Sequence, residues 1–176
     1  MRALKERALV DAAVAVGACV DGDVHAVTTA AGLAWAAAVG FDVAVCAIGP
    51  GIVGTGTSLG HGGLAAAEAA NAAIALGGRA VVAVRASEAD PRPRHRGASH
   101  HTEAVLRLCL GPAAVAWPSG IEPPDWLPPH ELVDTWEWEE VTRTLPLSHM
   151  GRGRDEDAAF FASAFAAGAL ARRLVG

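Results

Sequence analysis

Three stretches of this chain concentrate the residue types that do chemistry. The first is Gly49-Pro50-Gly51-Ile52-Val53-Gly54-Thr55-Gly56-Thr57. Gly49, Gly51 and Gly54 fit G-x-G-x-x-G, a spacing that lets backbone amides approach a pyrophosphate at a helix N-terminus. Two features weigh against a dinucleotide site. The next helix is expected only near Leu64, and the following apolar run ends in Arg85 rather than in an acid that would hold a ribose. No Lys follows the glycines, which excludes a Walker A loop. The remaining readings are an anion or polar-ligand loop of Gly49, Gly51, Gly54, Thr55, Gly56 and Thr57, or a tight loop whose glycines only permit positive φ. Ser58 lies in a formal G-x-S-x-G, but a nucleophile elbow places its Ser directly between strand and helix. The expected strand ends too early for that, at Ile48.

The second stretch runs from Asp90 to His101 and holds three arginines and three histidines. Arg94 and Arg96 are suited to clamp a carboxylate or phosphate. Ser99 is expected to cap the next helix and to face the same ligand. His100 and His101 then begin that helix, where the dipole favours neutral imidazole and bound anions; they are the proton-transfer candidates. Asp90, His95, His100 and His101 also form a weak metal set. Against it, neighbouring helical residues point about 100° apart, which makes two adjacent histidines awkward ligands for one ion. The plain alternative is a solvated basic loop facing the protein's acidic surface. The third stretch is His149 to Asp157, where Arg152 stands between two glycines and is free to reach a ligand. Asp155 or Asp157 is expected to cap the last helix.

These loops need a scaffold, and the composition supplies one. The chain has 176 residues, 52% hydrophobic and 19% charged. That size and apolarity suit one domain (1–176) with a core that needs no disulfides, and disfavour disorder. The net charge of −5 weighs against a nucleic-acid partner. Cys19, Cys46 and Cys109 form no pair motif and are expected to be small buried hydrophobes in a reducing cytoplasm. The first residues lack a signal-peptide pattern, and the apolar stretch 26–50 is too interrupted to span a membrane.

Periodicity predicts a first helix ending near Gly17, a strand at 18–20, a helix at 30–39 and a doubly buried strand at 42–48. A helix at 64–76, a strand at 80–84, a helix from Ser99 to about Leu110 and a strand at 113–117 follow. Segment 118–130 is Pro-rich and irregular. A helix at 131–143, an edge strand at 144–147 and a closing helix at 157–174 complete the expectation. Alternating strands and helices imply a Rossmann-like α/β layered fold, with a mainly parallel sheet and helices on both faces. Ligands of such folds bind at the carboxyl edge of the sheet. The acids between Glu122 and Glu140, interleaved with Trp126, Trp136 and Trp138, are either a contact surface or a solvated face over core-edge tryptophans.

Four blocks in order carry a resemblance. They are Ala47–Thr57, Ala89–Gly97, Ser99-His100-His101, and Met150-Gly151-Arg152-Gly153 with Asp155-Glu156-Asp157 and Phe160-Phe161. Together they resemble the bacterial family catalogued as domain of unknown function 3866, and specifically its C-terminal half. The chain departs from that pattern at His61, where the family looks aromatic, and at His149. The resemblance implies that the loops work as a unit and brings no activity with it.

Three functions are consistent with these residues. The leading one is a small-molecule domain whose phosphate- or carboxylate-bearing ligand sits across the sheet edge, with no cofactor required. The second is a non-catalytic homo-oligomeric or regulatory module, associating through the alanine-rich helix 65–75. The third is a metal-dependent hydrolase using Asp90, His95, His100 and His101.

Overall fold

The computed structural model describes residues 2–49 and 52–176. The chain is a mixed α/β protein with parallel sheets. It begins with a single helical turn, α1 (Arg2–Lys5). The amphipathic helix expected to reach Gly17 stops there, because Ala8 takes a left-handed φ of 52° that cannot continue a helix. The chain turns instead, Asp23 accepts from the Ala13 amide, and β1 (Val14–Val16) pairs in parallel with β2 (Val24–Ala26). Residues 18–20, read as a strand, are the connection between these two. The β-branched Val14, Val16 and Val24 favour strand over helix here. Helix α2 (Thr29–Val39) follows, with the Thr28 hydroxyl accepting from Ala31 N–H at its start.

The run 42–48 is not a strand. Apolar composition cannot substitute for a hydrogen-bonded neighbour, and none of its described residues pairs with another strand. Val43, Val45 and Ile48 are exposed in consequence. Helix α3 (Ala65–Ala75) is where the periodicity put it. Its Ala67, Ala69 and Ala70 are buried, and the helix packs on α2 and on the main sheet, so the alanine face expected to serve a dimer is largely covered within the chain.

The main sheet has three parallel strands, β3 (Ala80–Val82), β6 (Ala113–Pro118) and β7 (Glu131–Val133), in the order β3-β6-β7. Between β3 and β6 lie the short antiparallel pair β4 (Ala86–Ser87) and β5 (Gly97–Ala98), then α4 (His100–Arg107). The first half of β6 pairs with β3 and the second half with β7. Pro118 is tolerated because it lies past the β3 pairing, and Ser119 N–H makes the bond to Val133. Side chains alternate across the sheet. Ala116, Val133, Val81 and Ala114 pack under α6 (Ala158–Val175), while Val82 and Val115 meet α3, α4 and Trp117.

Residues 131–143 are not one helix. Glu131–Val133 joins the sheet because Val133 fills the pocket beside Ala166 and Leu170, and only α5 (Trp138–Val141) is helical. Residues 144–147 form turns rather than an edge strand. Trp117 and Trp138 are core residues, whereas Trp136 is exposed. Cys19 and Cys46 are exposed, contrary to expectation, and Cys109 is half-buried. Among the described residues only α6 is long and apolar enough to cross a membrane, with mean hydropathy 1.4 over 18 residues. Seven of its residues are buried, Ala166 and Leu170 completely or nearly so, and it acts as the core helix on β6 and β7.

Ala166 and Ala116 face each other with no exposed surface. Ala166→Leu therefore overpacks the α6–β6 contact. It should destabilise the protein by about 1–3 kcal/mol, read as a lower urea midpoint at unchanged m-value.

Candidate functional site

Apart from His61, the site is built on the chain leaving the C-terminal end of β3 and on the turn before α6. Arg85 is fixed first: its N–H donates to Thr102 Oγ1 (3.0 Å), and its carbonyl accepts from Ser99 N–H (2.8 Å). This ties the start of α4 to the end of β3. Asp90 comes next in space and is fully buried. Arg92 grips its carboxylate as a fork, with Nε to Oδ1 at 3.0 Å and Nη2 to Oδ2 at 2.9 Å, and Arg85 Nη2 adds 2.8 Å to Oδ2. Hydrogen bonds from Arg92, followed by those from Arg85, hold the Asp90 carboxyl far below the usual carboxylate range, against the opposing effect of burial.

Asp157 is the second buried carboxylate. It occupies the N-cap position of α6, as the sequence suggested, but its side chain does not cap that helix. Its Oδ2 accepts from Ser87 Oγ (2.6 Å) and from Arg152 Nε (3.1 Å), and its Oδ1 from Glu88 N–H (3.1 Å). Ser87 Oγ accepts in turn from Asp90 N–H (3.0 Å). Asp90, Ser87, Asp157 and Arg152 thus form a ring, and Arg152 Nη2 closes it 3.9 Å from Asp90 Oδ2.

The turn His149-Met150-Gly151-Arg152 covers this ring. Its ends exchange hydrogen bonds (His149 N–H to Arg152 O, 2.8 Å; Arg152 N–H to His149 O, 2.9 Å). Both central residues have positive φ, 50° for Met150 and 79° for Gly151, as a type I′ turn requires. Glycine adopts this readily, while methionine there is strained by about 1–2 kcal/mol. The strained Met150 places its sulfur 3.7 Å from Arg92 Nη2 and 4.0 Å from Arg85 Nη2. His149 stacks on Phe160, with centroids 3.7 Å apart, and its Nε2 lies 3.4 Å from Arg85 Nη2. Burial, then the Arg85 charge, lowers its pKa.

Beyond Arg85 lies a cluster of four imidazoles. His61 stacks on His101 at 3.8 Å, His100 and His101 are 4.4 Å apart, and His95 stands 4.8 Å from each of those two. His95 Nδ1 pairs with Ser99 Oγ at 2.7 Å, and the same oxygen accepts His101 N–H as the α4 cap. Burial is the main cause that lowers the pKa of His95 and His101 to about 4 and displaces His100 in the same direction. His95 and His101 are therefore neutral at pH 7. His61 arrives from the 3₁₀ turn Gly62–Leu64, which precedes α3, through a bridge with Gly54. Gly63 is needed beneath it, since a Cβ there would lie 2.7 Å from His61 Nδ1.

The structure brings together Asp90, His95, Ser99, His100, His101 and Arg152 among the residues singled out from sequence. The helical angle between His100 and His101 does not keep their rings apart, because both fold toward His61. Asp90 is bound to arginines rather than turned to the imidazoles, and the Ser99 hydroxyl is occupied by its cap and by His95. Arg94 and Arg96 are exposed and make no described ion pair; Arg94 lines an open depression of about 540 Å³ with Pro91, Arg92 and Pro93. The glycine loop follows no strand, so the dinucleotide context is missing. Gly51 lies outside the described residues. Gly49, Gly54, Thr55, Gly56 and Thr57 are exposed, and Thr55 bonds inward through N–H to Gly60 O (2.6 Å) and Oγ1 to Thr57 Oγ1 (3.0 Å). Arg85, Ser87, Arg92, His61 and His149 were not anticipated as site residues. An arginine closing the apolar run Ala80–Val84 and a histidine set among Gly60, Gly62 and Gly63 were the available signals.

The family model described as "Protein of unknown function (DUF3866)" matches residues 1–168. The chain belongs to the DUF3866 family. The match begins at residue 1 and covers nearly the whole chain, which corrects the narrower reading of a C-terminal half alone. Compared with curated proteins and with solved structures, this DUF3866 protein matches none. His61 and His149 each stack face to face on another ring.

The neutral histidines have a measurable consequence. A folded pKa of about 4 for His95 lies below its ordinary value of 6.5. Its contribution to stability is complete above pH 6.5 and is lost as pH falls toward 4, at up to about 1.4 kcal/mol per pH unit. Thermal melts across that range should fall steeply for the native chain. For His95→Asn, whose amide can replace the Nδ1 contact, the slope should be shallower by about one proton.

Proposed function

We propose that this DUF3866 protein binds a small molecule through a phosphate or carboxylate group held by Arg85 and Arg152. One observation carries the reading: Arg85 Nη1 and Arg152 Nη2 are buried and have no hydrogen-bond partner. A buried charged donor without an acceptor costs more than the 1–3 kcal/mol typical of an unpaired polar group. Both guanidiniums flank the same oxygen, Asp90 Oδ2, and carry further N–H groups in a fixed fork. An anion enters by displacing Met150, whose exposed side chain closes the turn over Arg85 and Arg92. This puts the ligand on the chain leaving β3, at the carboxyl edge of a Rossmann-like layering, within a single unit spanning 1–176. Exposed free thiols at Cys19 and Cys46 suit a reducing cytoplasm.

Phosphate, sulfate and small dicarboxylates at constant ionic strength test this by thermal shift and calorimetry. One of them should raise the melting temperature saturably; at 100 times its Kd the gain is about 2.7 kcal/mol. Arg152→Lys keeps a cation beside Asp157 but not the second donor. It should weaken binding about tenfold or more, the value of one charge-assisted hydrogen bond. Equal effects of all anions and chloride, or unchanged affinity in Arg152→Lys, would sink the idea.

A second reading, self-association, is favoured by the exposed apolar run at Val43, Val45 and Ile48, continuing at Ile52 and Val53. Such a run suits a strand buried on both faces, and a second copy can supply the partner it lacks. Sedimentation velocity over a concentration series should show a dimer that Val45→Asp dissociates. A monomer at every concentration ends this reading.

A further inference from the structure

We infer that His61, His100 and His101 form a binding site for a single divalent transition-metal ion, with zinc the best match. The site is separate from the anion reading and does not depend on it. Each histidine offers one ring nitrogen, and these three atoms lie within 4.8 Å of one another. His61 is only 7% exposed, yet neither of its ring nitrogens has a hydrogen-bond partner, and His100 Nε2 is also buried and unpartnered. Unpaired nitrogens on two of the three rings are what a polar cluster leaves when its acceptor or ion is not protein.

The donor set selects the ion. Three imidazoles without a carboxylate suit zinc and its neighbours and disfavour magnesium and calcium, which take oxygen ligands. His95 does not ligate; bonded to Ser99, it packs against both His100 and His101 and fixes their positions. Tetrahedral ligation at about 2.0–2.1 Å needs nitrogens about 3.3 Å apart. Loading therefore draws the donors inward and opens the His61–His101 stack. Gly63 gives the His61 ring the room for that rotation. Three protein ligands leave a coordination position open.

The test is zinc and cobalt titration of chain purified without a histidine tag. One Zn²⁺ per chain should bind, and Co²⁺ should give the intense visible bands of a tetrahedral site. In the native chain, imidazole nitrogen resonances of His61, His100 and His101 should shift while those of His25 and His130 stay. His61→Phe, which preserves the stack, and Gly63→Ala, which keeps every histidine, should each weaken zinc at least about tenfold. Arg152→Lys should leave zinc binding unchanged, so loss of the metal site and loss of the anion site are read separately. Substoichiometric binding to the native chain, affinity unaffected by His61→Phe, or shifts confined to other histidines would each overturn the inference. The resonance test needs no variant and stands even if a substitution prevents folding.

Discussion

Two carboxylates with essentially no solvent access, Asp90 and Asp157, set the terms for everything near them. A buried carboxylate is tolerable only when cations and donors replace the water it has lost. Here the replacements come from two parts of the chain: Arg85, Ser87 in β4 and Arg92 from around Asp90, and Arg152 from the turn before α6. The ring they form fastens the β3–α4 connection to the start of the core helix. No apolar contact could do this with the same directional precision, because each oxygen accepts from a particular nitrogen at a particular angle.

The same arginines shape the neighbouring histidines. Arg85 touches Asp90 and His149, and its charge bears on His95, His100 and His101. Burial is the larger influence, and the positive charge acts in the same direction, so the imidazoles remain neutral. A neutral imidazole is a ligand, a base and a flat stacking surface at once. His149 uses its face against Phe160, and His61 uses its face against His101. Arg85 and Arg152 each keep an unpaired guanidinium nitrogen, and His61 and His100 keep unpaired imidazole nitrogens.

The strain at Met150 belongs to this arrangement. A methionine with φ of 50° persists because the hydrogen bonds at both ends of its turn and the packing of His149 over-determine it. The result is a polarizable sulfur laid over two guanidiniums.

From residue types and spacing alone, the sequence determined the local features. Helix α3, the Ser99 cap of α4, the strands at 80–82 and 113–118, the Pro-rich break after 118 and the closing helix all follow from periodicity and capping, which depend on neighbours a few residues apart. The sequence also marked the loops at 90–101 and 149–157 as polar concentrations in an apolar chain. It misjudged segments whose conformation depends on a remote partner. Residues 42–48 have strand composition but no ladder, Glu131–Val133 left a helical pattern to join β6, and the Ala8 reversal turned Val14–Val16 into a strand. Only the tertiary structure decided which polar residues meet. It gave Asp157 to Ser87 and Arg152 rather than to its own helix, left Arg94 and Arg96 exposed while Arg85 and Arg152 each kept one unpartnered guanidinium nitrogen, and carried His61 across to His100 and His101. The reason is physical. Burial and pairing of charge are properties of space, and residues separated by tens of positions share that space only once the sheet and its covering helices have packed.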